Sequence, residues 1–278
     1  MFRLLNIEYQ KLRYSKSAKV LSIAYFVILT FIALIVSIEF NIGDIKVRIA
    51  DQGIFNFPFI WHGNTWLAAW LKIFLAVVIV SMTANEYSNR TLKQNLIDGL
   101  SKKEFILSKF YTVLVFAGVS TLFVFVMSLI LGYSFSDYTE FSIVIRDLEF
   151  IFAYFLKLVG FFSFCLFLGI LVKRSAFSLG FLFIWWILEW IIYSLLRFEF
   201  FEDTEVYYTI MQFFPLMSMT NLIEWPVPRL SFVQNAANQL NADIGMDYGV
   251  HWYEIAIVSV WIFLFIYWSY ALLKRRDL

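Results

Sequence analysis

Three ionisable side chains interrupt otherwise apolar stretches of this sequence, where a charge is costly and usually has a role. These residues are Lys72, Lys157 and Glu189. Each lies about six or seven residues from the end of its apolar run that is predicted to face the outside, or roughly 10 Å deep at 1.5 Å per residue. This common depth would allow a Lys157–Glu189 ion pair, or a polar lining for a transport path. Alternatively, Lys72 extends to the membrane surface past Trp66, and the other two form a structural pair.

No enzymatic motif accompanies these charges. None of the 11 glycines is followed by Lys, so the GxxxxGK phosphate-binding loop is absent. His62 and His251 are isolated and lack HExxH spacing, and Ser120 lacks the second glycine of a GxSxG nucleophile elbow. The single cysteine, Cys165, is typical of a small buried hydrophobic residue. The sequence therefore predicts no catalytic residue, no metal site and no cofactor in this chain.

The elements that must position the charges are membrane spans. The 278 residues are 61% hydrophobic and only 15% charged, against about 25% charged in soluble domains. This composition argues against a water-soluble enzyme, a disordered chain and a nucleic-acid-binding protein. Six runs approach the length of about 20 residues that crosses a bilayer, and backbone groups in lipid must bond internally, so each is predicted to be a helix. The predicted spans of this all-α, single-domain membrane protein are 20–39, 65–83, 111–133, 151–172, 178–196 and 253–273.

The distribution of charge predicts an orientation. Of the 22 Lys and Arg residues, 15 fall on one side of the six-span map, and 15 of the 21 Asp and Glu residues fall on the other. Basic loops stay inside, so both termini are predicted to be cytoplasmic, in the plasma membrane. A seventh span at 206–223 would place the basic tail outside, and Pro215 would break it. We therefore predict a pair of re-entrant or outer-surface helices there, within an outer loop at 197–252.

Two cytoplasmic segments carry helical signals. In residues 1–19, Phe2, Leu5, Tyr9 and Leu12 recur at helical spacing among basic residues, which favours an interfacial helix with its apolar stripe in lipid. Alternatively, this segment is a charged tail that only sets the topology.

The second segment is a charged loop, residues 84–110, between spans two and three. Its residues 86–98 are predicted to form a short helix that stops at Gly99. Ser101, with Glu104 three residues later, predicts a capping box that begins the next helix. Ordering a rigid charged helix costs entropy, which suggests that it docks onto a partner. Alternatively, it is a solvated amphipathic connector.

The order of these parts resembles the permease subunit of type 2 ABC exporters, which have an elbow helix, six spans, a coupling helix between spans two and three and a long outer excursion between spans five and six. The stretch from Glu86 to Lys109 is similar to the E…(G)TLK…LSRxEF…K pattern of that family, and residues 274–278, KRRDL, to its basic-Asp-Leu tail. Two positions differ: Arg90 stands where the family often has Gly, and Lys102 where it often has Arg.

The resemblance implies a subunit that moves an unidentified substrate outward, together with cytoplasmic ABC ATPase subunits, a second permease chain and membrane lipid. ATP and Mg would be bound by the ATPase. The implied ATPase-coupling residues are Glu86, Arg90, Thr91, Leu92, Lys93 and Leu96. Two alternatives are a secondary transporter that uses Lys72, Lys157 and Glu189, and a non-transporting membrane anchor or regulatory subunit.

Overall fold

The computed structural model describes residues 2–42, 45–201, 206–240 and 247–276. Apart from one antiparallel hairpin, in which Glu39 pairs with Arg48, its regular elements are helical. In chain order the elements are α1 (Phe2–Tyr14), α2 (Lys16–Ser37), β1 (Glu39–Ile42), β2 (Ile45–Arg48), α3 (Phe59–Ser88), α4 (Thr91–Ile97), α5 (Lys102–Phe135), α6 (Phe141–Val144), α7 (Glu149–Val172), α8 (Ser175–Leu195, continued by a π-helical turn at Leu196–Phe200), α9 (Val206–Met211), α10 (Pro215–Asn221), α11 (Ser231–Gln239) and α12 (Trp252–Lys274). Short 3-10 turns lie at Ile49–Gln52 and Val227–Arg229.

Six helical segments of the described chain are long and apolar enough to cross a membrane. They are α2, α3, α5, α6 with α7, α8 and α12, which confirms the predicted all-helical fold with six spans. The helices extend beyond several of the predicted runs. For example, α3 begins six residues before predicted span two and ends five residues after it. These extensions carry polar side chains, which hydropathy alone assigns to the loops.

Four of the other spans, α3, α5, α8 and α12, pack against α7, whose most apolar window is 78% buried, against 11% for α8. Small residues allow this central helix to pack closely. A Cβ atom at Gly169 would lie only 3.0 Å from the Cβ atom of Thr83 on α3. The outward face of α8 exposes large apolar side chains, including Phe183 and Trp190.

Residues 206–223 form two short helices, α9 and α10, and no spanning helix, as predicted. Pro215 occupies the first turn of α10, where its missing N–H is tolerated. The pair buries Met211, Leu216 and Met219 in the protein interior. The segment therefore packs onto the bundle, and the number of spans remains even.

The loop between spans two and three, residues 84–110, differs from its prediction at one end. The capping box of α5 is confirmed, since Ser101 Oγ accepts from the Glu104 backbone N–H at 3.1 Å and the Glu104 carboxylate accepts from Ser101 N at 2.9 Å. Gly99, at φ +94°, follows α4 as predicted. However, α3 continues to Ser88, and Arg90 turns the chain at φ +56°. The coupling helix therefore begins at Thr91, and Glu86 belongs to α3.

Candidate functional site

Four charged side chains meet inside the protein where α1, α3 and α5 converge. We call Glu8, Lys11, Glu86 and Lys109 the ionic cluster. The Lys109 ammonium donates to Glu8 Oε2 at 2.6 Å and to Glu86 Oε1 at 2.7 Å. Lys11 donates to the same Glu86 oxygen at 2.7 Å. Glu8, Glu86 and Lys109 are at most 3% exposed, and the side chain of Lys11 is 33% exposed, so two carboxylates and two ammonium groups balance each other at a site that is open to solvent only on the Lys11 side.

The ionic cluster also holds the coupling helix α4. The Thr91 hydroxyl donates to Glu86 Oε2 at 2.6 Å, and the Asn95 amide donates to the same oxygen at 3.3 Å. Both residues lie on α4, whereas Glu86 lies one turn before the end of α3. A carboxylate on one helix therefore links α4 to α1 and α5 through two lysines.

The structure separates the predicted coupling residues into two groups. Arg90 and Lys93 are exposed, whereas Leu92 is only 2% exposed and Leu96 is partly buried against the core. The interpretation of Glu86 as a direct ATPase contact does not fit its position. Because it precedes the left-handed turn at Arg90, Glu86 points into the bundle. Leu92 is likewise a core residue, and the apolar side chain that α4 presents outward is Ile97, which is 75% exposed.

The elbow helix α1 buries a face that differs from the predicted stripe. Leu4 and Glu8 point inward, whereas Tyr9 is 62% exposed; the side chain of Phe2 is outside the described part. Sequence reasoning missed Glu8 because one glutamate in a basic helix resembles a solvated charge. The sequence feature that could have identified Glu8 is that it is the only acidic residue among residues 1–19.

The C-terminal tail, whose sequence supports both the predicted topology and the family resemblance, makes specific contacts. The Arg276 guanidinium donates to the carbonyl oxygens of Ile170 at 2.6 Å and Leu171 at 3.1 Å, at the end of α7. It also donates to the Tyr87 hydroxyl at 3.3 Å, and Lys102 donates to the Arg276 carbonyl at 2.8 Å. The tail thus caps α7 and joins the ends of α3, α7 and α12 to the start of α5. Asp277 and Leu278 lie outside the described residues.

A second candidate site lies within the membrane-spanning part. A cavity of about 510 Å³, which we call the membrane cavity, is bounded by α3, α7, α8 and α10. Both predicted lysines, Lys72 and Lys157, line it. Its walls are mainly apolar, with the aromatic side chains of Trp66, Trp70, Phe161, Phe183 and Trp186.

Neither lysine of the membrane cavity pairs with an acid among the described residues, so Lys157 lacks the partner that was predicted for it. Lys157 is 3% exposed and donates to the carbonyl oxygens of Thr220 and Ile223, both at 3.3 Å. The Lys72 ammonium lies 4.6 Å from the centre of the Phe161 ring. Neither lysine forms an ion pair with a carboxylate in the described ranges.

Glu189 binds elsewhere, and the proposed Lys157–Glu189 ion pair is not formed. The Glu189 carboxylate accepts from the backbone N–H groups of Leu216 at 3.1 Å and Met217 at 2.8 Å, and from the Trp185 indole at 2.7 Å. It therefore caps the N-terminus of α10, and Lys157 binds carbonyls at and just beyond its other end. Each charge has the sign that stabilises the helix end beside it: the carboxylate lies at the N-terminus and the ammonium group at the C-terminus. The seven residues of α10 stand between them.

On the side of the bundle opposite to α4, His62 holds the outer loop. Its Nε2 lies 2.9 Å from the Glu224 carbonyl and its Nδ1 lies 3.1 Å from Arg229, which in turn pairs with Asp147 at 2.5 Å. In the same loop, burial and the Glu224 carboxylate raise the pKa of Tyr208, whose hydroxyl donates to Glu224 at 3.1 Å. These contacts join the loop to α3 and to the turn before α7.

Comparison with protein families gives one match. The family model described as ABC-2 family transporter protein matches residues 4–189, about two thirds of the chain. The matched segment runs from α1 into α8 and contains the ionic cluster, α4 and both lysines of the membrane cavity. No curated protein matches the chain.

Proposed function

Because the chain belongs to the ABC-2 transporter family, we propose that it is the membrane-spanning subunit of an ATP-driven exporter that moves its substrate outward across the plasma membrane. A separate cytoplasmic ABC ATPase binds ATP and Mg and supplies the energy. In this arrangement both termini and α4 face the cytoplasm, as the distribution of basic residues indicates.

The observation that carries this proposal is the way α4 is presented. Lys93 and Ile97 are exposed four residues apart and so share one side of α4, and Arg90 is exposed at the turn directly before this helix. Two cations beside an apolar side chain suit a groove with an acidic rim and an apolar floor on the ATPase. We therefore assign these three residues to the contact surface, in place of Glu86 and Leu92.

The ionic cluster gives this surface a mechanical role. Glu86 binds Thr91 and Asn95 of α4 through one oxygen and Lys11 and Lys109 through the other. Separating buried ions leaves them uncompensated, so the helices that carry them resist separation. A displacement of α4 by the closing ATPase is then transmitted to α1, α3 and α5 together.

The transport path is proposed to include the membrane cavity, and the working unit is proposed to be a pair of these chains. In the single chain, α8 leaves large apolar side chains exposed: Phe183 is 60% exposed, Trp186 51% and Trp190 62%. Lipid or a second permease chain would cover this face.

The test is co-purification with an ABC ATPase and reconstitution of the complex in vesicles. The double variant Arg90→Ala/Lys93→Ala should weaken ATPase binding by about tenfold, because it removes two charged contacts of about 0.7 kcal/mol each. Chain-dependent ATP hydrolysis should fall with it. Arg197→Ala, which removes an exposed charge after α8, is the matched control and should change neither quantity.

Three outcomes would contradict the proposal. Unchanged ATPase binding and turnover in the double variant would exclude α4 as the contact surface. Proton- or sodium-driven flux without ATP would support the secondary transporter instead, and normal assembly without flux under any gradient would support an anchoring subunit.

A further inference from the structure

The membrane cavity contains two cationic groups and no opposite charge. We propose that it binds an amphiphile with an anionic head group and an apolar body, and that Lys72 and Lys157 recognise the head group. The binding claim concerns the cavity itself. Only the identification of this amphiphile as the exported substrate rests on the proposed function.

The hydrogen bonds of Lys157 leave donor capacity for a ligand. An ammonium group has three donors. Lys157 uses its donors for two carbonyl oxygens at 3.3 Å, which is long for a charged hydrogen bond. Its third donor has no acceptor among the described residues, and a buried cation with only carbonyl partners remains uncompensated. An anion in the cavity would supply the missing charge.

Lys72 adds a second cation to the same cavity. It makes no hydrogen bond or ion pair with a described residue and lies over the Phe161 ring. The acid at a similar depth, Glu189, is already bound to two backbone N–H groups and an indole. The Glu189 carboxylate is therefore directed to α10, and the two lysines face the cavity without it.

The walls indicate the rest of the ligand. The volume of about 510 Å³ lies within the usual range of small-molecule sites. Aromatic side chains from α3, α7 and α8 supply most of the apolar surface, so an inorganic anion alone would leave that surface unfilled. An alkyl or polycyclic body would cover it.

The cavity is also accessible from the side. Trp70, Phe183 and Trp186 line it and are 66%, 60% and 51% exposed, on the flanks of α3 and α8. A ligand dissolved in the bilayer can therefore enter between these helices without passing through water. The two ammonium groups in the cavity repel a cationic amphiphile. The charge of the head group therefore decides which of the ligands that fit will bind.

The experiment uses the full chain in phosphatidylcholine nanodiscs, with dodecyl phosphate that carries a photoactivatable diazirine. We expect the label on peptides of α3, α7 and α8, with protection by unlabelled dodecyl phosphate. Dodecyltrimethylammonium and inorganic phosphate should not protect at matched concentrations. Lys72→Gln should weaken binding by about tenfold, the value of one charged hydrogen bond, and Lys72→Arg should retain it. Lys19→Gln, an exposed lysine on α2, is the matched control.

Equal protection by dodecyltrimethylammonium, protection by inorganic phosphate alone, or unchanged binding in both Lys72→Gln and Lys157→Gln would overturn the inference. Competition by phosphatidylglycerol identifies a membrane phospholipid as the amphiphile, and selective binding of the single-chain probe identifies a separate compound; both support it. Because labelling needs no ATP, its failure beside ATP-driven export of another compound would end this inference alone. Charge-selective labelling of a chain that binds and stimulates no ABC ATPase would instead contradict the proposed function and leave this inference intact.

Discussion

The ionic cluster and the membrane cavity hold buried lysines in opposite electrostatic settings. In the ionic cluster, Lys109 lies 2.6 and 2.7 Å from two carboxylate oxygens, and the charges of the four members cancel. In the membrane cavity, Lys157 has only carbonyl oxygens as partners, and Lys72 has only an aromatic face. The first group is complete without a ligand, whereas the second is not.

This difference separates the two roles that a buried charge can have. A compensated cluster fixes the positions of the helices that carry it, because removal of one member leaves the others uncompensated. An uncompensated cation contributes little to the packing of its own helix, but it attracts an anion. The same residue type therefore holds the structure together where α1, α3 and α5 converge and favours a ligand inside the bundle.

Substitution of Lys109 should give the largest effect. Lys109→Met leaves Glu8 and Glu86 buried and close to each other, so we expect a loss of about 3–5 kcal/mol in the free energy of unfolding. The measurement is denaturant unfolding in mixed micelles. Lys103→Met removes an exposed lysine from the same helix and should change stability by less than about 0.5 kcal/mol. Equal stability of the two variants would show that the ionic cluster does not hold the helices.

The next effect should come from Glu189, whose carboxylate binds α10. Glu189→Gln removes the charge and replaces one acceptor oxygen by a donor, so one of the two backbone N–H groups loses its partner. We expect a loss of about 1–3 kcal/mol, together with faster backbone hydrogen exchange at Leu216 and Met217. Glu199→Gln, an exposed acid just beyond α8, is the control. Unchanged exchange at α10 would contradict the capping role.

A smaller effect is expected where a cation caps a helix close to solvent. Arg276→Gln removes the guanidinium that binds the Ile170 and Leu171 carbonyls, and we expect a loss of about 1–2 kcal/mol. Its neighbour Arg275 is exposed and supplies the matched control Arg275→Gln. If both variants unfold alike, the tail contributes net charge only.

The sequence was sufficient for the spans because their signal is local. A run of about 20 apolar residues has few alternatives to a helix in lipid. The same applies to the capping box, where Ser101 and Glu104 are three residues apart and make the bonds that their spacing predicts. Pro215, which was predicted to break a span at 206–223, lies in the first turn of α10 and separates it from α9.

The sites were less predictable because their contacts are not local. Glu8, Glu86 and Lys109 meet across separations of up to 101 residues, which no periodicity records. Glu86 was placed on the wrong helix because Arg90 adopts a left-handed φ of 56° that usually signals glycine. That conformation also explains why the family often has Gly at this position. Lys157 and Glu189 were predicted to pair because they lie at a similar depth in their spans. Depth alone does not show that α10 lies between them.

The smallest change in stability should come from Lys72, which sharpens the comparison with Lys109. Lys72 has no carboxylate partner and is only partly buried, so Lys72→Gln removes an unpaired cation and breaks no ion pair. We expect the free energy of unfolding to change by less than about 0.5 kcal/mol, in either direction. A loss as large as that of Lys109→Met would mean that Lys72 has a structural partner that compensates its charge. The membrane cavity would then be complete without a ligand, and the two regions would not differ in kind.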